Sequence, residues 1–216
     1  MTWLSEVSEE TWIVSDTHFK HANINRHEPV RLEEMQKAGF DDPDEFLVSN
    51  WNSVVKEGEL VIHLGDFSSK KGLDILNRLN GRIILLLGNH DIPMINKLKQ
   101  FAQDYPEKLY IVIGVDGSDL HCKAEWASAL IREFSGKIIM FSHYPLITDD
   151  EYMRGKALDT KQAMEEVYRR EQCNLNIHGH VHSKDEHTDK SREINVSVER
   201  IDFKPRRLCN VIQSFI

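Results

Sequence analysis

Five short apolar runs in this chain are each followed by side chains that bind metals or move protons. These side chains are Asp16, His18, Asp66, Asn89, His90, His143, His180 and His182. Asp-x-His and Gly-Asp alone are common in turns and loops, because short polar side chains hydrogen-bond the local backbone. Gly-Asn-His-Asp and His-x-His after a strand are more specific, the latter because alternation places both imidazoles on one side. Five such motifs at five successive run ends are hard to attribute to turns, so the sequence predicts a shared metal site.

The residue types limit which metals suit this site. Two aspartates, one asparagine and four histidines are enough ligands for two divalent ions, and the set contains no thiolate. Mixed oxygen and nitrogen ligation suits Mn²⁺, Fe or Zn²⁺, and it argues against a structural zinc. We predict two ions, with Mn²⁺ first and Fe, Zn²⁺ or Ni²⁺ as alternatives. A bridging carboxylate would also place a hydroxide between the two ions.

The apolar runs have the length and composition of buried strands. They cover residues 11–15, 60–64, 82–87, 137–142 and 174–178. Two further strands are predicted at 109–115 and 193–199, with a hairpin signal at Asp116-Gly117. Helices are predicted from Asp42, at 73–79, and from 159 or 160 to 172. Strands that alternate with helices indicate an α/β protein, in which ligands bind beyond the carboxyl ends of the strands.

Composition excludes several classes of protein. The chain has 216 residues, a formal charge of −8, and 29% charged residues. We expect one domain over residues 1–216, no membrane span and no extended nucleic-acid binding, which needs a basic face. The cysteines Cys122, Cys173 and Cys209 form no CxxC pair, and this favours a reducing cytoplasm. Oligomeric state cannot be predicted from these features.

At the five motifs, from Asp16 to His182, the sequence resembles the calcineurin-like metallophosphoesterase superfamily. The resemblance implies a four-layer α-β-β-α sandwich of two mixed sheets flanked by helices. It also implies the role of each site residue, carried over motif by motif. Metal 1 would be held by Asp16, His18 and His182; Asp66 would bridge both ions; metal 2 would be held by Asn89, His143 and His180; and His90 would be the catalytic acid.

One motif departs from a branch of that family. Phosphoprotein phosphatases continue the second motif as GDxxDRG, whereas Ser69 and Lys70 occupy the Asp and Arg positions here. The chain looks more like small bacterial and phage phosphoesterases. The departure leaves His90 without an assigned orienting partner, for which Asp91 is a candidate.

These features predict a dinuclear phosphoric ester hydrolase that acts on a small phosphodiester or nucleotide through a metal-bridging hydroxide. The alternatives are a phosphomonoesterase of the same fold, a non-catalytic metal-binding scaffold and an exonuclease. Substrate contacts are predicted at His21, Asn23 and Arg154. Of the other histidines, His63 and His178 are expected inside the protein, and His121 and His187 on its surface.

Overall fold

Two five-stranded β-sheets form the centre of the molecule in a computed structural model that describes residues 3–118, 126–146 and 155–215. The strands, in chain order, are β1 (Trp12–Val14), β2 (Leu60–His63), β3 (Arg82–Leu85), β4 (Leu109–Ile111), β5 (Gly114–Asp116), β6 (Ser128–Phe134), β7 (Lys137–Ser142), β8 (Leu175–His178), β9 (Glu193–Asn195) and β10 (Arg206–Arg207). The α-helices are α1 (Ile24–His27), α2 (Val30–Lys37), α3 (Pro43–Val54), α4 (Ile95–Asp104), α5 (Lys156–Arg170) and α6 (Leu208–Gln213).

The first sheet has the strand order β10-β1-β2-β3-β4, in which only β10 runs antiparallel to its neighbour. Ile62 lies opposite Ile13 on one side and Ile84 on the other, and all three are fully buried. Parallel strands covered on both faces need such continuous apolar runs. The carboxyl ends of β1, β2 and β3 therefore meet at one edge.

The second sheet has the order β5-β6-β7-β8-β9 and contains one antiparallel pair, β6 and β7. Its side chains alternate between two faces, as a strand requires. Ile139 and Phe141 of β7 join the core shared with the first sheet, whereas Met140 joins a smaller core with Met164 and Val167 of α5. The sheets therefore pack against each other, with α5 outside the second.

Helix α3 covers the first sheet, because its apolar stripe packs into the shared core through Phe46, Leu47 and Trp51. Asp42 caps its start by accepting hydrogen bonds from the amides of the first turn, and Pro43 occupies the first helical position. The predicted α3 start and the four-layer arrangement of two mixed sheets with flanking helices are confirmed. Within the described ranges, no helix is both long and apolar enough to cross a membrane.

Several predicted elements differ from the structure. Residues 109–115 form two strands, because the chain leaves the first sheet after Ile111 and turns at Gly114, whose φ is +89°, into the second. The hairpin expected at Asp116-Gly117 is wrong, since β5 and β6 run parallel. Residues 193–199 form only β9, followed by a 3₁₀ turn at Val198–Arg200.

Candidate metal centre

The two sheets are joined by hydrogen bonds at the edge where the polar motifs lie. The Ser15 amide, just after β1, donates to the carbonyl of Val196, just after β9. The Val198 amide donates back to the carbonyl of Ser15. This short parallel bridge brings the ends of β1 and β2 beside those of β7 and β8. Side chains from both sheets therefore reach one place.

Five of the predicted site residues have left-handed backbone conformations. They are Asp16, His18, Asp66, His180 and His182, with φ between +50° and +70°. Non-glycine residues adopt this conformation rarely, and each such residue costs on the order of 1–3 kcal/mol unless its surroundings fix it. The strand ends thus turn sharply, and the turns hold the side chains at the common edge.

Two glycines allow the ligand-bearing turns to approach each other closely. A Cβ at Gly179 would lie closer than 3.0 Å to Oδ2 of Asp16, and one at Gly88 would lie closer than 3.0 Å to Oδ1 of Asp66. Ordinary Cβ atoms essentially never come so near. Both positions therefore require glycine to keep the carboxylates in place.

The first candidate ligand group contains Asp16, His18 and His182, each of which offers one ligand atom within 4.8 Å of the others. Asp16 and His18 are buried, yet Oδ1 of Asp16 and both ring nitrogens of His18 have no hydrogen-bond partner in the part of the chain described. Buried polar atoms are normally satisfied. A cation among these three side chains would satisfy Oδ1 of Asp16 and one ring nitrogen of His18.

The second group contains Asp66, His143 and His180, with Asn89 beside it. His143 donates its Nδ1 proton to the Leu64 carbonyl at 2.9 Å, so its Nε2 carries a lone pair. Burial lowers the pKa of His143 to about 3, so this ring is neutral at pH 7. Nε2 nevertheless lies 3.2 Å from Oδ1 of Asn89 and 3.5 Å from Oδ2 of Asp66. Nδ1 of His180 lies 3.2 Å from the same nitrogen. Oxygen and nitrogen atoms that can bind a metal thus converge on one point, which suits a bound cation.

Asp66 lies between the two groups. Its Oδ2 is 3.5 Å from Nε2 of His18 and 3.5 Å from Nε2 of His143. Burial raises the pKa of Asp66 well above its ordinary value, and the charges of Asp91 and Asp16 raise it further. Nearby cations would reverse this effect, since opposite charge favours the ionised carboxylate.

His90 borders the same centre with an exposed ring. Its backbone amide donates to Oδ1 of Asp66 at 2.8 Å, and its ring centroid lies 5.0 Å from that of His18 and 5.1 Å from that of His21. Desolvation lowers the pKa of His90, and the neighbouring His21 imidazole lowers it further. Both effects make His90 a stronger acid.

Asp91 does not orient the His90 ring, although the sequence made it a candidate. Both of its carboxylate oxygens accept backbone amides instead, from Asp66 at 2.7 Å, from Gly88 at 2.9 Å and from Phe67 at 3.1 Å. Asp91 therefore fixes the turn after β2 to the turn after β3.

Sequence reasoning missed two residues behind the first group, Arg31 on α2 and Glu199 in the 3₁₀ turn after β9. Both are buried and paired with each other, and Glu199 also contacts His182. Neither belongs to a motif or follows an apolar run directly, so no sequence signal singles them out. His63, by contrast, is buried as expected, and its ring binds the hydroxyl of Thr17.

A cleft of about 520 Å³ opens over both groups. It is lined by His18, His21, Asn23, Ile24, His27, Glu28, Asn89, His90, His180, Val181, His182, Lys184 and His187. The predicted contact residues His21 and Asn23 thus line the cleft beside the candidate ligand groups. His187 is half-buried in this cleft rather than free on the surface, as the sequence suggested. Arg154 and His121 lie outside the described residues.

Comparison with known proteins agrees with this geometry. The chain is 29% identical to an uncharacterized protein of Methanocaldococcus jannaschii, over 94% of this chain and 89% of that protein. It is 27% identical to the gene 66 protein of Mycobacterium phage L5, over 80% and 77%. A crystal structure of an Aquifex aeolicus protein of unknown function superposes with a TM-score of 0.65, at 28% identity over 95% and 98%. Residues 10–198 match the calcineurin-like phosphoesterase superfamily domain, and the chain therefore belongs to that superfamily.

Proposed function

We propose that this protein is a dinuclear metal-dependent phosphoric ester hydrolase. The observation that carries the proposal is the position of Asp66, whose Oδ2 lies 3.5 Å from one histidine of each ligand group. We assign Asp16, His18 and His182 to metal 1, and Asn89, His143 and His180 to metal 2, with Asp66 shared. Oδ1 of Asp16 and the ring nitrogens of His18, which have no hydrogen-bond partner among the described residues, support this assignment.

Different residues of the chain bind the metal ions and transfer the proton. Two bound divalent ions would supply Lewis-acid activation of the phosphoryl group and of the attacking water. Asp66 keeps the two ligand groups adjacent, and the buried imidazole of His143 stays neutral, as a ligand must. His90 stands at the cleft, where it donates a proton to the leaving oxygen.

We propose a small phosphodiester or nucleotide as the substrate. A cleft of about 520 Å³ falls within the usual range for small-molecule sites. The net charge of −8 disfavours long polyanions, and the second motif lacks the phosphoprotein-phosphatase continuation. We assign substrate contacts to His21, Asn23 and Arg154. We also expect a cytoplasmic location, which agrees with the free thiols of Cys173 and Cys209.

The test is to strip the protein with a chelator, reload it with Mn²⁺, Zn²⁺, Ni²⁺ or Mg²⁺, and measure hydrolysis of matched phosphodiesters, nucleotides, phosphomonoesters and phosphopeptides. We expect two ions per chain and preferential turnover of diesters or nucleotides. Preferential turnover of monoesters would instead assign a phosphomonoesterase. Two bound ions with no turnover of any substrate would favour the non-catalytic scaffold.

Asp66→Asn tests the bridging role, because the amide keeps the shape of the side chain but removes its charge. We expect metal content to fall below two per chain and turnover to be lost. The control is Asp41→Asn on an exposed loop, which should change neither. Full metal loading with near wild-type turnover in Asp66→Asn would contradict the assignment.

A further inference from the structure

Arg31 and Glu199 form an ion pair in the protein interior, directly behind the metal 1 ligands. Their side chains are 4% and 0% exposed, and both Nε and Nη2 of Arg31 lie 2.5 Å from Oε1 of Glu199. A buried pair of this kind contributes little net stability, because desolvation of the two charges offsets their attraction. Its position suggests a different role.

Arg31 also donates hydrogen bonds to the backbone segment that carries two metal 1 ligands. Its Nη2 donates to the carbonyl of Asp16 at 2.5 Å, and its Nη1 donates to the carbonyl of Thr17 at 3.0 Å. These carbonyls lie in the turn from Asp16 to His18, where both residues have left-handed conformations. The planar guanidinium thus holds a backbone shape that is otherwise costly.

Glu199 reaches the third ligand. Its Oε1 lies 3.2 Å from Nδ1 of His182 and accepts that N–H, which leaves the lone pair of the ring on Nε2. A carboxylate in this position fixes both the tautomer and the orientation of a metal-binding imidazole. One oxygen atom thereby connects Arg31 to His182.

The metal 2 side is held by different contacts. The Leu64 carbonyl accepts the Nδ1 proton of His143, and the Asp91 carboxylate accepts the amides of Asp66 and Gly88. Among the contacts described, Arg31 and Glu199 bond no metal 2 ligand. The two groups are linked only through ligand residues themselves in the contacts described, such as the His180 amide that donates to Oδ2 of Asp16 at 2.9 Å. A perturbation of the pair should therefore weaken one metal site much more than the other.

We propose that Arg31 and Glu199 are positioning residues for metal 1, and that together they orient the three side-chain ligands that metal 1 does not share with metal 2, which are Asp16, His18 and His182. The inference rests on the proposed dinuclear centre. It extends that proposal, because it states that two residues which do not contact metal 1 control the affinity of the protein for that ion.

The experiment is calorimetric titration of chelator-treated Arg31→Lys and Glu199→Gln proteins with Mn²⁺. Lysine keeps the positive charge of Arg31 but cannot reach two carbonyls and a carboxylate at once. Glutamine keeps a hydrogen-bond acceptor for His182 but removes the charge. Glu45→Gln is the matched control, because Glu45 pairs with Arg78 at the exposed surface, 2.6 Å apart.

We expect each variant to lose about 10–100-fold in affinity at one of two sites, the usual range for the loss of an outer-shell partner. The other site should stay within about threefold of wild type, and Glu45→Gln should match wild type at both. Absorption spectra of the Co²⁺-loaded variants should show altered geometry at one ion only.

Equal weakening of both sites, or no weakening of either, would overturn the inference. The melting temperature of the metal-free variants separates positioning from folding, since a selective loss without a large fall in melting temperature is not a general loss of structure. Failure of the wild-type protein to bind two ions would count against the proposed dinuclear centre itself. Normal two-ion binding by both variants would contradict the positioning role of Arg31 and Glu199 and would leave the proposed dinuclear centre standing.

Discussion

His90 offers the sharpest test of chemistry at the scale of one residue. Its ring is exposed at the cleft while its backbone amide holds Asp66, so removal of the ring leaves the amide in place. We expect His90→Ala to keep both ions and to lose about 10²–10⁴-fold in kcat, the usual contribution of a general acid. The measurement is turnover of alkyl and nitrophenyl esters, with metal content determined on the same samples.

The loss should be smaller for nitrophenyl esters, because a good leaving group needs little protonation. Since His90 also lies within ligand distance of His18 and Asp66, a ligand role makes a different prediction. In that case His90→Ala would empty a metal site and slow all substrates equally.

His63 should make the stability of the metal-free protein depend on pH. Burial lowers its pKa from 6.5 to about 3, and its ring accepts the Gly65 amide and donates to Thr17. The unfolded chain therefore binds the proton first, so the contribution of His63 is complete above pH 6.5 and is lost as the pH falls toward 3. We expect it to steepen the loss of unfolding free energy by up to about 1.4 kcal/mol per pH unit.

Urea unfolding of wild-type and His63→Gln proteins between pH 7 and pH 4 measures this slope. The variant should be less stable at neutral pH but less sensitive to acid, because glutamine does not titrate. Parallel curves for the two proteins would show that His63 does not contribute to the pH dependence.

At the scale of elements, the turns that carry the candidate ligands must approach one another closely, and two glycines allow this approach. Gly179→Ala and Gly88→Ala should each push a carboxylate out of place, since the new methyl group would overlap Asp16 or Asp66. We expect a stability loss of about 1–3 kcal/mol, typical of overpacking, together with weaker metal binding. Denaturant unfolding and metal titration measure both effects.

Gly39→Ala is the control for these two variants. Gly39 has a φ of +80° and nothing within 4 Å of its added Cβ, so the substitution strains the backbone without a clash. It should lower stability and leave metal affinity unchanged. Metal affinity that falls equally in all three variants would contradict the packing argument.

The sequence predicted those elements that are determined by residues close together in the chain. Ile62 and Ile84 lie in runs apolar enough to be strands buried on both faces, and Asp42 caps its helix in the expected way. The candidate ligand residues could be picked out because they follow such runs directly, and the structure brings them together. Strand β6 was missed because the charged residues Arg132 and Glu133 interrupt its apolar pattern. These residues lie in the second half of the strand, where the side chains become more exposed to solvent.

Other features depend on contacts between distant segments. Arg31 and Glu199 are 168 residues apart in sequence and are brought together only by the tertiary fold. The division of 109–115 between two sheets depends on which strand each half pairs with, and this information lies in β3 and β6 rather than in the run itself. Local pattern reasoning has no access to either fact.

At the scale of the whole molecule, metal binding should stabilise both sheets together. Each ligand group draws on the ends of strands from both sheets, Asp16 and His182 in one case, Asp66 and His143 in the other. We expect residues 1–216 to unfold in one transition, and each site filled at 100 times its Kd to add about 2.7 kcal/mol.

Calorimetric melting with and without Mn²⁺ measures this effect, and Asp66→Asn should show a much smaller shift. Two separate transitions, of which metal moves only one, would show that the sheets unfold independently and would contradict a single domain.

The bridge at Ser15 also limits how the protein can move during turnover. Ser15 directly follows β1 and, through its bonds with Val196 and Val198, is joined to the edge of the other sheet. A hinge motion that parted the two sheets at this edge would have to break both bonds. We therefore expect the two sheets to stay together at this edge, so that a substrate would enter and a product would leave through the existing cleft.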